Sequence, residues 1–331
     1  MAIRILRKSD MQELITMKEV IEADRLALKL YSAREVDIPL RSVLTVKKHK
    51  GKSLYMPGYA EEANALGVKI VSVYPGNIDK GAPTVPATMI LLDPETGVVN
   101  CLMDGPFLTQ LRTGAVSGLA TDYLARKDAS VMLLIGTGEQ AATQLEAVLN
   151  VRNIKQVYVS SRNQEHVKTF VQAMTERFGE TFGVTITPAE NVEEAAALAD
   201  VITTVTTARE PVIHCTHLKP GVHINAVGSF LPSMIEVDPQ IFGCASLVYV
   251  DTADAVSEAG EFQMPMERGL IAHDVITGEL GQLVLGETKG RENDDQITFF
   301  KTTGNAVMDI VAARQIYERA IEKNIGQIIE F

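Results

Sequence analysis

The sequence predicts an α/β protein of two domains, one built around a doubly wound parallel sheet and the other of α+β type. Two observations support this prediction. From Val131 onward, predicted strands and helices alternate, which is typical of a parallel sheet covered by helices on both faces. Between residues 43 and 103, short β-rich runs follow one another, which favours mostly antiparallel pairing. The chain of 331 residues is long enough for two domains.

The first domain is expected to begin with a short strand at 3–6 and a helix over 16–32. Thr16 and Glu19 form a capping-box pattern at the start of that helix. Further strands are predicted at 43–47, 52–57, 68–74, 87–92 and 98–103. A turn sequence, residues 93–97, joins the last two of these strands. A helix is then predicted over 107–124, where apolar and small residues regain helical spacing.

The second domain is defined by the alternating pattern that starts at Val131. Strands are predicted at 131–135, 156–160, 184–187, 201–204, 222–227, 247–250 and 298–301. Helices are predicted at 140–149, 163–177, 191–198 and 305–323. We therefore assign residues 126–304 to this domain. Residues 1–125, together with a carboxy-terminal helix at about 305–331, are assigned to the first domain.

Composition excludes several classes of protein. The chain has 31 Lys and Arg against 42 Asp and Glu, a formal net charge of −11, and no basic stripe, so nucleic acid is not an expected partner. No apolar run approaches the ~20 residues of a membrane span, so no membrane is expected as a partner. The amino terminus turns polar too early for a secretory signal. The three scattered cysteines indicate reduced thiols. A cytoplasmic location is therefore predicted.

A glycine turn after the strand 131–135 indicates a dinucleotide site. The segment consists of Gly136, Thr137, Gly138, Glu139, Gln140 and Ala141. The first glycine fits a tight turn, the second allows close approach of a pyrophosphate, and Ala141 can replace the third glycine where helix packs on strand. The following helix offers free N–H groups to phosphates. A purely structural turn is the alternative, but the strand–turn–helix context favours a Rossmann-type cofactor domain.

The residues after the next strand bear on which cofactor is bound. An NAD site usually has a carboxylate at this point, whereas an NADP site has arginine nearby. This chain has Ser161, Arg162 and Asn163 there and no acid. NADP(H) is therefore the preferred cofactor and NAD(H) the alternative. A simpler interpretation is that Ser161 only caps the next helix.

Three cations of the first domain lie among apolar or small residues, namely Arg41, Lys69 and Arg112. A buried cation requires an anionic partner. Each could form a structural ion pair, but three in one domain favour capture of a substrate carboxylate, which arginine can bind with two hydrogen bonds.

The chain resembles the ornithine cyclodeaminase/μ-crystallin family over nearly its whole length. The resemblance rests on the stretches GVKIVSVYPGN, MDGPFLTQLRTGAVSGLATDYLAR, LIGTGEQA, LKPGVHINAVGS and FFKTTGNAVMDIVAA. It implies a homodimer in which the first domain forms the interface and holds the substrate, a small amino or imino acid with a carboxylate. The second domain would bind the dinucleotide.

The resemblance also implies roles for individual residues. Arg41, Lys69 and Arg112 match the family's carboxylate-binding positions, and Thr84 lines the same pocket. In the second domain, Val227 and Gly228 would lie beside the nicotinamide and Ser229 would face the substrate. The residues expected to approach the cofactor from the last strand are Lys301, Thr302 and Gly304.

Two departures from the ornithine-deaminating members point to another reaction. Those members carry an Asp where this chain has Phe230, and a Glu where it has Leu54. A pocket without these acids has little to hold the two amines of ornithine. The prediction is an NAD(P)-dependent oxidoreductase that interconverts an imino or keto acid with an amino or cyclic imino acid. Lys69 and Arg112 are its expected catalytic residues, with Lys69 as proton donor or electrostatic organiser.

Two alternatives remain open at the level of the sequence. One is an ornithine cyclodeaminase, an ammonia-lyase with recycled NAD, and the other is a non-catalytic protein that binds NADP and a small ligand. A metal site is not predicted, because His214, Cys215 and His217 have no second pair of ligands at a suitable spacing.

Overall fold

The computed structural model describes residues 2–330, except for the side chain of His273. Its strands are β1 (Ala2–Leu6), β2 (Val36–Asp37), β3 (Ser42–Val46), β4 (Gly51–Ala60), β5 (Ala65–Val73), β6 (Ala87–Leu92), β7 (Val99–Asp104), β8 (Val131–Ile135), β9 (Gln156–Ser160), β10 (Thr185–Pro188), β11 (Val201–Thr204), β12 (His223–Ala226), β13 (Leu247–Val250), β14 (Gly278–Glu279), β15 (Thr298–Lys301) and β16 (Gln327–Glu330). Its α-helices are α1 (Lys8–Leu14), α2 (Met17–Ser32), α3 (Gly105–Leu124), α4 (Ala141–Val151), α5 (Gln164–Met174), α6 (Glu180–Phe182), α7 (Val192–Leu198), α8 (Ile241–Cys244), α9 (Asp254–Glu258), α10 (Gly260–Glu267), α11 (Leu280–Leu285) and α12 (Ala306–Glu322).

The chain divides into two compact units. The first unit is Met1–Arg112 with Asn305–Phe331, and the second is Thr113–Gly304. The first boundary thus lies within α3 and not after residue 125, where the sequence analysis placed it. The reason is that the second half of α3 packs within the second unit. There Gln144 donates a hydrogen bond to the carbonyl of Thr113 at 2.9 Å, and Asn225 donates one to the Thr121 hydroxyl at 2.9 Å.

The first unit is an α+β layer built on one mixed sheet. The strand order is β16-β1-β7-β6-β5-β4-β2, and β3 also pairs with β4. The pair β1–β7 is parallel and the other pairs are antiparallel, as the sequence pattern predicts for most of them. Helix α12 packs on β4, β5 and β6, and α2 packs on α12. These helices cover one face of the sheet.

Two helices of the first unit, α2 and α12, begin at capping side chains. The Thr16 hydroxyl accepts the backbone N–H of Glu19, whose carboxylate accepts the N–H of Thr16 in return. Asn305 caps α12 by accepting the N–H of Val307 at 3.0 Å. Residues 306–313 of α12 are all buried, so this helix forms the centre of the unit.

The second unit is a doubly wound parallel sheet with the order β10-β9-β8-β11-β12-β15-β13-β14. All of its strand pairs are parallel. Two apolar clusters of buried residues pack against the sheet, one that includes α4 and α5 and one that includes α7, α9 and α10. The strand order reverses direction between β8 and β11, and ligands of such sheets bind outside the carboxyl ends of the strands at this point.

The structure differs from the sequence prediction in several elements. The expected carboxy-terminal helix ends at Glu322, and the chain then turns through Asn324 and Gly326, both of positive φ, into β16 beside β1. The helix expected over 163–177 ends as α5 at Met174 and continues as a π-helical turn. The helices α8 to α11 were not predicted, because they are short and lack a sustained apolar period.

The expectation of reduced thiols stays a prediction. Cys215 and Cys244 lie side by side, but their Cα atoms are 7.1 Å apart, beyond the usual reach of a disulfide, and Cys101 is free and buried. A β-bridge between Ile213 and Val237 brings the two segments together, which the separation of 29 residues did not indicate. Within residues 2–330, none of the helices combines the length and apolar character of a membrane span.

Candidate active site

The glycine turn of the second unit has the geometry of a phosphate-binding loop. Gly136 follows β8 with a φ of 117°, and a Cβ there would lie 2.5 Å from the carbonyl oxygen of Val205. Only glycine fits such a position without strain. At Gly138 an added Cβ would meet nothing within 4 Å, so the backbone faces open space. Helix α4 begins three residues later at Ala141, which is fully buried.

A cavity of about 440 Å³ adjoins this turn. Its walls include Gly136, Thr137 and Gly138, the end of β9 at Ser160, Ser161 and Arg162, residues Val205–Ala208 after β11, and His166 of α5. This is the carboxyl edge of the sheet at the reversal of strand order, as expected for a ligand crevice. Two cationic or titratable side chains, Arg162 and His166, belong to the wall, and none of the described lining residues is acidic. The cavity therefore suits a ligand that carries phosphate.

Four residues expected at the cofactor near the glycine turn and the end of β9 do not line this cavity, and neither do Val227, Gly228, Lys301 and Gly304. Glu139 is exposed and Gln140 is half-buried at the start of α4, while Ala141 packs in the core. The Asn163 side chain caps α5, since it accepts the N–H groups of Glu165 and His166 at 3.0 and 3.2 Å. Asn163, and not Ser161, is therefore the cap that the simpler interpretation of the sequence required.

The segments after β12 and β15 are held by buried carboxylates. Beyond β15, one oxygen of Asp251 accepts hydrogen bonds from the Thr302 hydroxyl at 2.6 Å and the Gly304 N–H at 2.8 Å. Lys301 is fully buried and donates to the carbonyl of Ala226 at 3.1 Å. The expected cofactor residues Val227, Gly228, Lys301 and Gly304 thus lie on adjacent strand ends of one sheet.

Ser229, which was expected to face the substrate, lies in the interior of the second unit. Its side chain is fully buried and its hydroxyl donates to the carboxylate of Glu261, so it supports the loop from within. Phe230, the next residue, is 42% exposed. An apolar side chain so exposed is available to contact a ligand.

The first unit brings Lys69 and Arg112 onto one carboxylate, that of Asp309. Lys69 Nζ lies 2.5 Å from one oxygen of Asp309, and Arg112 Nε lies 3.0 Å from the other. All three side chains are nearly or fully inaccessible to solvent. Strand β5, helix α3 and helix α12 supply one residue each. Two positive charges therefore surround one negative charge, and the cluster has a net charge of about +1.

One donor of this cluster is unused. Arg112 Nη1 is buried and makes no hydrogen bond with any described residue. An unpaired buried guanidinium N–H costs free energy, and a carboxylate is the group that satisfies its geometry best. The cluster can therefore accept a further anion.

The pKa of Lys69 is lowered from 10.5 to about 8. Burial is the largest cause, and the positive charges of Arg112 and Arg41 lower it further, whereas the charge and hydrogen bond of Asp309 raise it. An ammonium group with such a pKa can lose and regain its proton near neutral pH. Arg41, which is half-buried, is thus close enough to act on Lys69 electrostatically.

The remaining residues expected at the substrate are placed differently. Leu54 is half-buried on β4, on the same face as Met56, which pairs with Lys69 across the strands. Leu54 can therefore line the surroundings of Lys69. Thr84 is exposed in the segment before β6, where its carbonyl accepts the N–H of Tyr74 at 2.8 Å. The role of Thr84 at the substrate stays a prediction.

The sequence analysis missed the acids that organise both sites. These are Asp309 in the first unit and Asp251, Glu236 and Glu261 in the second, all fully buried. Asp309 had a visible signal, because it is a lone acid in the apolar helical run AVMDIVAA. The other three lie directly after a strand, in a loop and in a short helix, where no sustained periodicity marks a residue as buried.

The fold and the glycine turn together define an α/β protein with a Rossmann-type unit, and the first unit carries a buried cluster of net positive charge. The family model described as ornithine cyclodeaminase/mu-crystallin family matches residues 2–324. The chain belongs to this family, as the resemblance of its motifs indicates.

Three relatives are similar over almost their full length. A Delta(1)-pyrroline-2-carboxylate reductase of Bacillus cereus is 43% identical over 328 residues, which is 99% of each chain. The structure of Thermococcus litoralis Delta(1)-pyrroline-2-carboxylate reductase in complex with NADH and L-proline is 41% identical, with a TM-score of 0.92 over 98% of this chain and 99% of that one. An archaeal alanine dehydrogenase dimer with bound NAD is 36% identical, with a TM-score of 0.92 and full coverage of both chains. The predicted fold class is confirmed.

The two glycines of the turn give a prediction that separates folding from binding. We expect Gly138→Ala to leave the melting temperature nearly unchanged, because its Cβ enters open space, but to weaken dinucleotide binding by about tenfold or more through obstruction of the phosphates. Gly136→Ala should lower the melting temperature, since its φ and the Val205 carbonyl exclude a side chain. Calorimetric titration and thermal unfolding test both. Unchanged binding by Gly138→Ala would contradict the assigned path of the cofactor.

Proposed function

We propose that the protein reduces a cyclic imino acid of the pyrroline-2-carboxylate class to the corresponding amino acid, with a reduced nicotinamide dinucleotide as hydride donor. The sequence predicted an oxidoreductase that acts on CH–NH or CH–NH₂ groups. The relatives confirm this enzyme class. The observation that carries the choice of substrate is the unused, buried Nη1 of Arg112 in a cluster of net positive charge.

The substrate carboxylate would complete the Lys69–Asp309–Arg112 cluster. Asp309 holds the guanidinium by Nε, which leaves the unpartnered Nη1 to receive the carboxylate. Asp309 cannot itself satisfy both cations, so an anionic substrate gains more here than a neutral one. Because a carboxylate fixed in this way orients the adjacent imine carbon, small displacements should cost much of the rate.

Lys69 would supply the proton that the reaction needs. An imine accepts hydride readily only when its nitrogen is protonated. The cofactor supplies a hydride, which forms the new C–H bond while the C=N electron pair moves to nitrogen. The Lys69 ammonium, with its pKa lowered to about 8, can donate a proton to that nitrogen and recover it from water. Asp309 keeps the ammonium in place during this transfer.

We further propose that NADPH is preferred over NADH. Arg162 and His166 stand in the wall of the cavity that also contains Ser161 at the end of β9 and the glycine turn. A 2′-phosphate gains from an arginine here, while a ribose hydroxyl finds no carboxylate among the described lining residues. The Thermococcus reductase and the archaeal alanine dehydrogenase contain NADH and NAD. The preference for NADPH is therefore proposed from Arg162 and His166 of this chain and not from its relatives.

We also propose that the protein is a homodimer formed through the first unit. The sheet face opposite α2 and α12 carries a continuous set of half-buried apolar side chains: Tyr55, Pro57, Tyr59, Leu66, Val68, Ile70, Ile90, Leu92 and Leu102. An open apolar face of this size is typical of a subunit interface. The alanine dehydrogenase relative is a dimer. The cytoplasmic location expected from the sequence stays a prediction.

The central test is the substrate comparison. We expect NADPH oxidation with pyrroline-2-carboxylate and little release of ammonia from ornithine, because Leu54 and Phe230 replace the acids that would hold its amines. Arg112→Ala should lower kcat/KM by about a hundredfold or more, since the carboxylate loses its anchor. The control Arg177→Ala changes an exposed ion pair and should retain full activity. Efficient ammonia release by the wild type would replace this proposal with the cyclodeaminase reaction.

A second prediction concerns pH. Lys69 must be protonated to act as donor, so kcat/KM for reduction should fall as pH rises through about 8. Asp309→Asn removes the charge that raises this pKa, so the fall should move to lower pH. Arg41→Gln removes a charge that lowers the pKa, so the fall should move to higher pH. A profile that is identical in all three proteins would assign the ionisation to the substrate and contradict the role of Lys69.

A third prediction concerns the cofactor. Arg162→Ala should weaken NADPH binding by about 1–3 kcal/mol and leave NADH binding nearly unchanged, because only the 2′-phosphate contacts this guanidinium. His166→Ala should have a smaller effect with the same selectivity. Equal losses for both cofactors, or tighter binding of NADH by the wild type, would show that the preference for NADPH is wrong.

A fourth prediction concerns assembly. Light scattering should give the mass of two chains, and Val68→Glu should give that of one, because it places a charge in the middle of the open sheet face. Leu198→Glu, an equally drastic change at an exposed site of the second unit, should remain dimeric. A monomeric wild type at micromolar concentration would rule out the proposed dimer.

A further inference from the structure

Three charged side chains lie completely buried behind the strand ends of the second unit. Glu236, Glu261 and Lys301 each have no solvent exposure. They come from a loop after β12, from α10 and from the end of β15. Burial of two carboxylates with a single ammonium is expensive, and apolar residues of similar volume would stabilise the fold equally well or better. A purely structural role does not account for them.

The carboxylate of Glu236 joins the ends of two neighbouring strands. One oxygen accepts the backbone N–H of Thr206 at 2.5 Å, just beyond β11. The other accepts the N–H groups of Gly228 at 2.6 Å and Ser229 at 3.2 Å, just beyond β12. Glu236 is the acceptor in all three bonds. Burial raises the pKa of this carboxyl group, whereas the charge of Lys301 and the N–H of Thr206 favour its ionised form. Glu236 therefore holds the loop 227–229 through the backbone N–H groups of that loop.

Glu261 and Lys301 hold the same loop from its other sides. Glu261 accepts the Ser229 hydroxyl with one oxygen and the backbone N–H of Glu236 with the other, the latter at 2.8 Å. Lys301 Nζ lies 3.8 Å from the Glu261 carboxylate and donates to the carbonyl of Ala226 at 3.1 Å. The backbone of the loop packs closely on the segment after β11, because a Cβ on Gly228 would lie 2.0 Å from the carbonyl oxygen of Thr206.

The position of this loop relates it to one end of a bound dinucleotide. The cavity places the adenosine side near β9, with the pyrophosphate at the glycine turn after β8. The next strands in the sheet are β11 and β12, so the other half of the cofactor extends over their ends. Thr206, which Glu236 binds, is itself in the wall of the cavity. The loop 227–229 stands one strand further along.

We propose that Glu236 is a positioning residue for the nicotinamide half of the cofactor, acting with Glu261 and Lys301 through the backbone of residues 227–229 and with no share in binding the adenosine half. The inference rests on the proposed function, since it presumes that this unit binds a nicotinamide dinucleotide. Ser229 belongs to this support and does not present its hydroxyl to the substrate. The network would fix the ring at the distance and angle that hydride transfer requires.

The experiment compares the dinucleotide with a fragment that lacks nicotinamide. Calorimetric titration would measure NADH and ADP-ribose binding to the wild type, Glu236→Gln, Ser229→Ala and the control Glu180→Gln, an exposed glutamate of the same unit. In Glu236→Gln, an N–H₂ group replaces one of the two carboxylate oxygens. This group cannot accept the backbone N–H bonds that the oxygen accepted. We expect the Kd of NADH to rise about tenfold or more, while the Kd of ADP-ribose changes by less than about twofold.

Ser229→Ala separates positioning from both misfolding and substrate contact. It should shift NADH binding in the same direction by a smaller factor and slow single-turnover hydride transfer, with KM for the imino acid unchanged. An increase in that KM alone, with normal NADH binding, would mean that Ser229 faces the substrate and would overturn the proposal.

Each remaining outcome is also decisive. Equal losses for NADH and ADP-ribose in a folded Glu236→Gln, or no loss for either, would overturn the proposal. If Glu236→Gln fails to fold, Ser229→Ala decides by the same comparison. If the wild type binds ADP-ribose but gains nothing from the nicotinamide of NADH, the proposed function fails instead, and the two failures are therefore distinguishable.

Discussion

The carboxylate of Asp309, buried between Lys69 and Arg112, determines how the first unit is built. Without this carboxylate, β5 and α3 would each bring an unpaired cation into the core, at a cost of several kcal/mol. With it, the two cations are held at fixed positions, but one positive charge is left over. Asp309 thus stabilises the fold but neutralises only one of the two positive charges. A substrate carboxylate would find its site already assembled, which reduces the ordering that binding requires.

In the second unit, buried carboxylates likewise hold their surroundings in place, but their partners are backbone N–H groups. Asp251 and Glu236 accept the N–H groups that parallel strands leave free where they end, after β15 and beyond β11 and β12. A loop satisfied in this way is fixed without a helix or a further strand. The edge of the sheet therefore presents defined backbone surfaces to a ligand, while the apolar clusters on both faces keep the strands in place.

The motif H-I-N-A-V-G shows how a specific sequence pattern can be structural. His223 is buried between the Thr298 hydroxyl and the Asn225 side chain, and burial lowers its pKa to about 3, so it is neutral. Asn225 in turn donates to Thr121 of α3. These side chains anchor β12 and do not reach a ligand. Only the end of the motif, at Val227 and Gly228, lies where the cofactor is expected.

The sequence by itself determined the order and type of the main elements, because periodicities of 2 and 3.6 and capping or turn residues are local signals. The antiparallel strands from β3 to β7, the glycine turn and α12 all follow from such signals. The cations at Lys69 and Arg112 were also visible, since a charge within an apolar run is a local anomaly. The tertiary structure decided which partners these charges have. Asp309 follows Lys69 by 240 residues, and Glu261 follows Ser229 by 32, and no local pattern links either pair. It likewise decided that α3 belongs to both units and that Cys215 meets Cys244, since contacts of this kind depend on how whole elements pack.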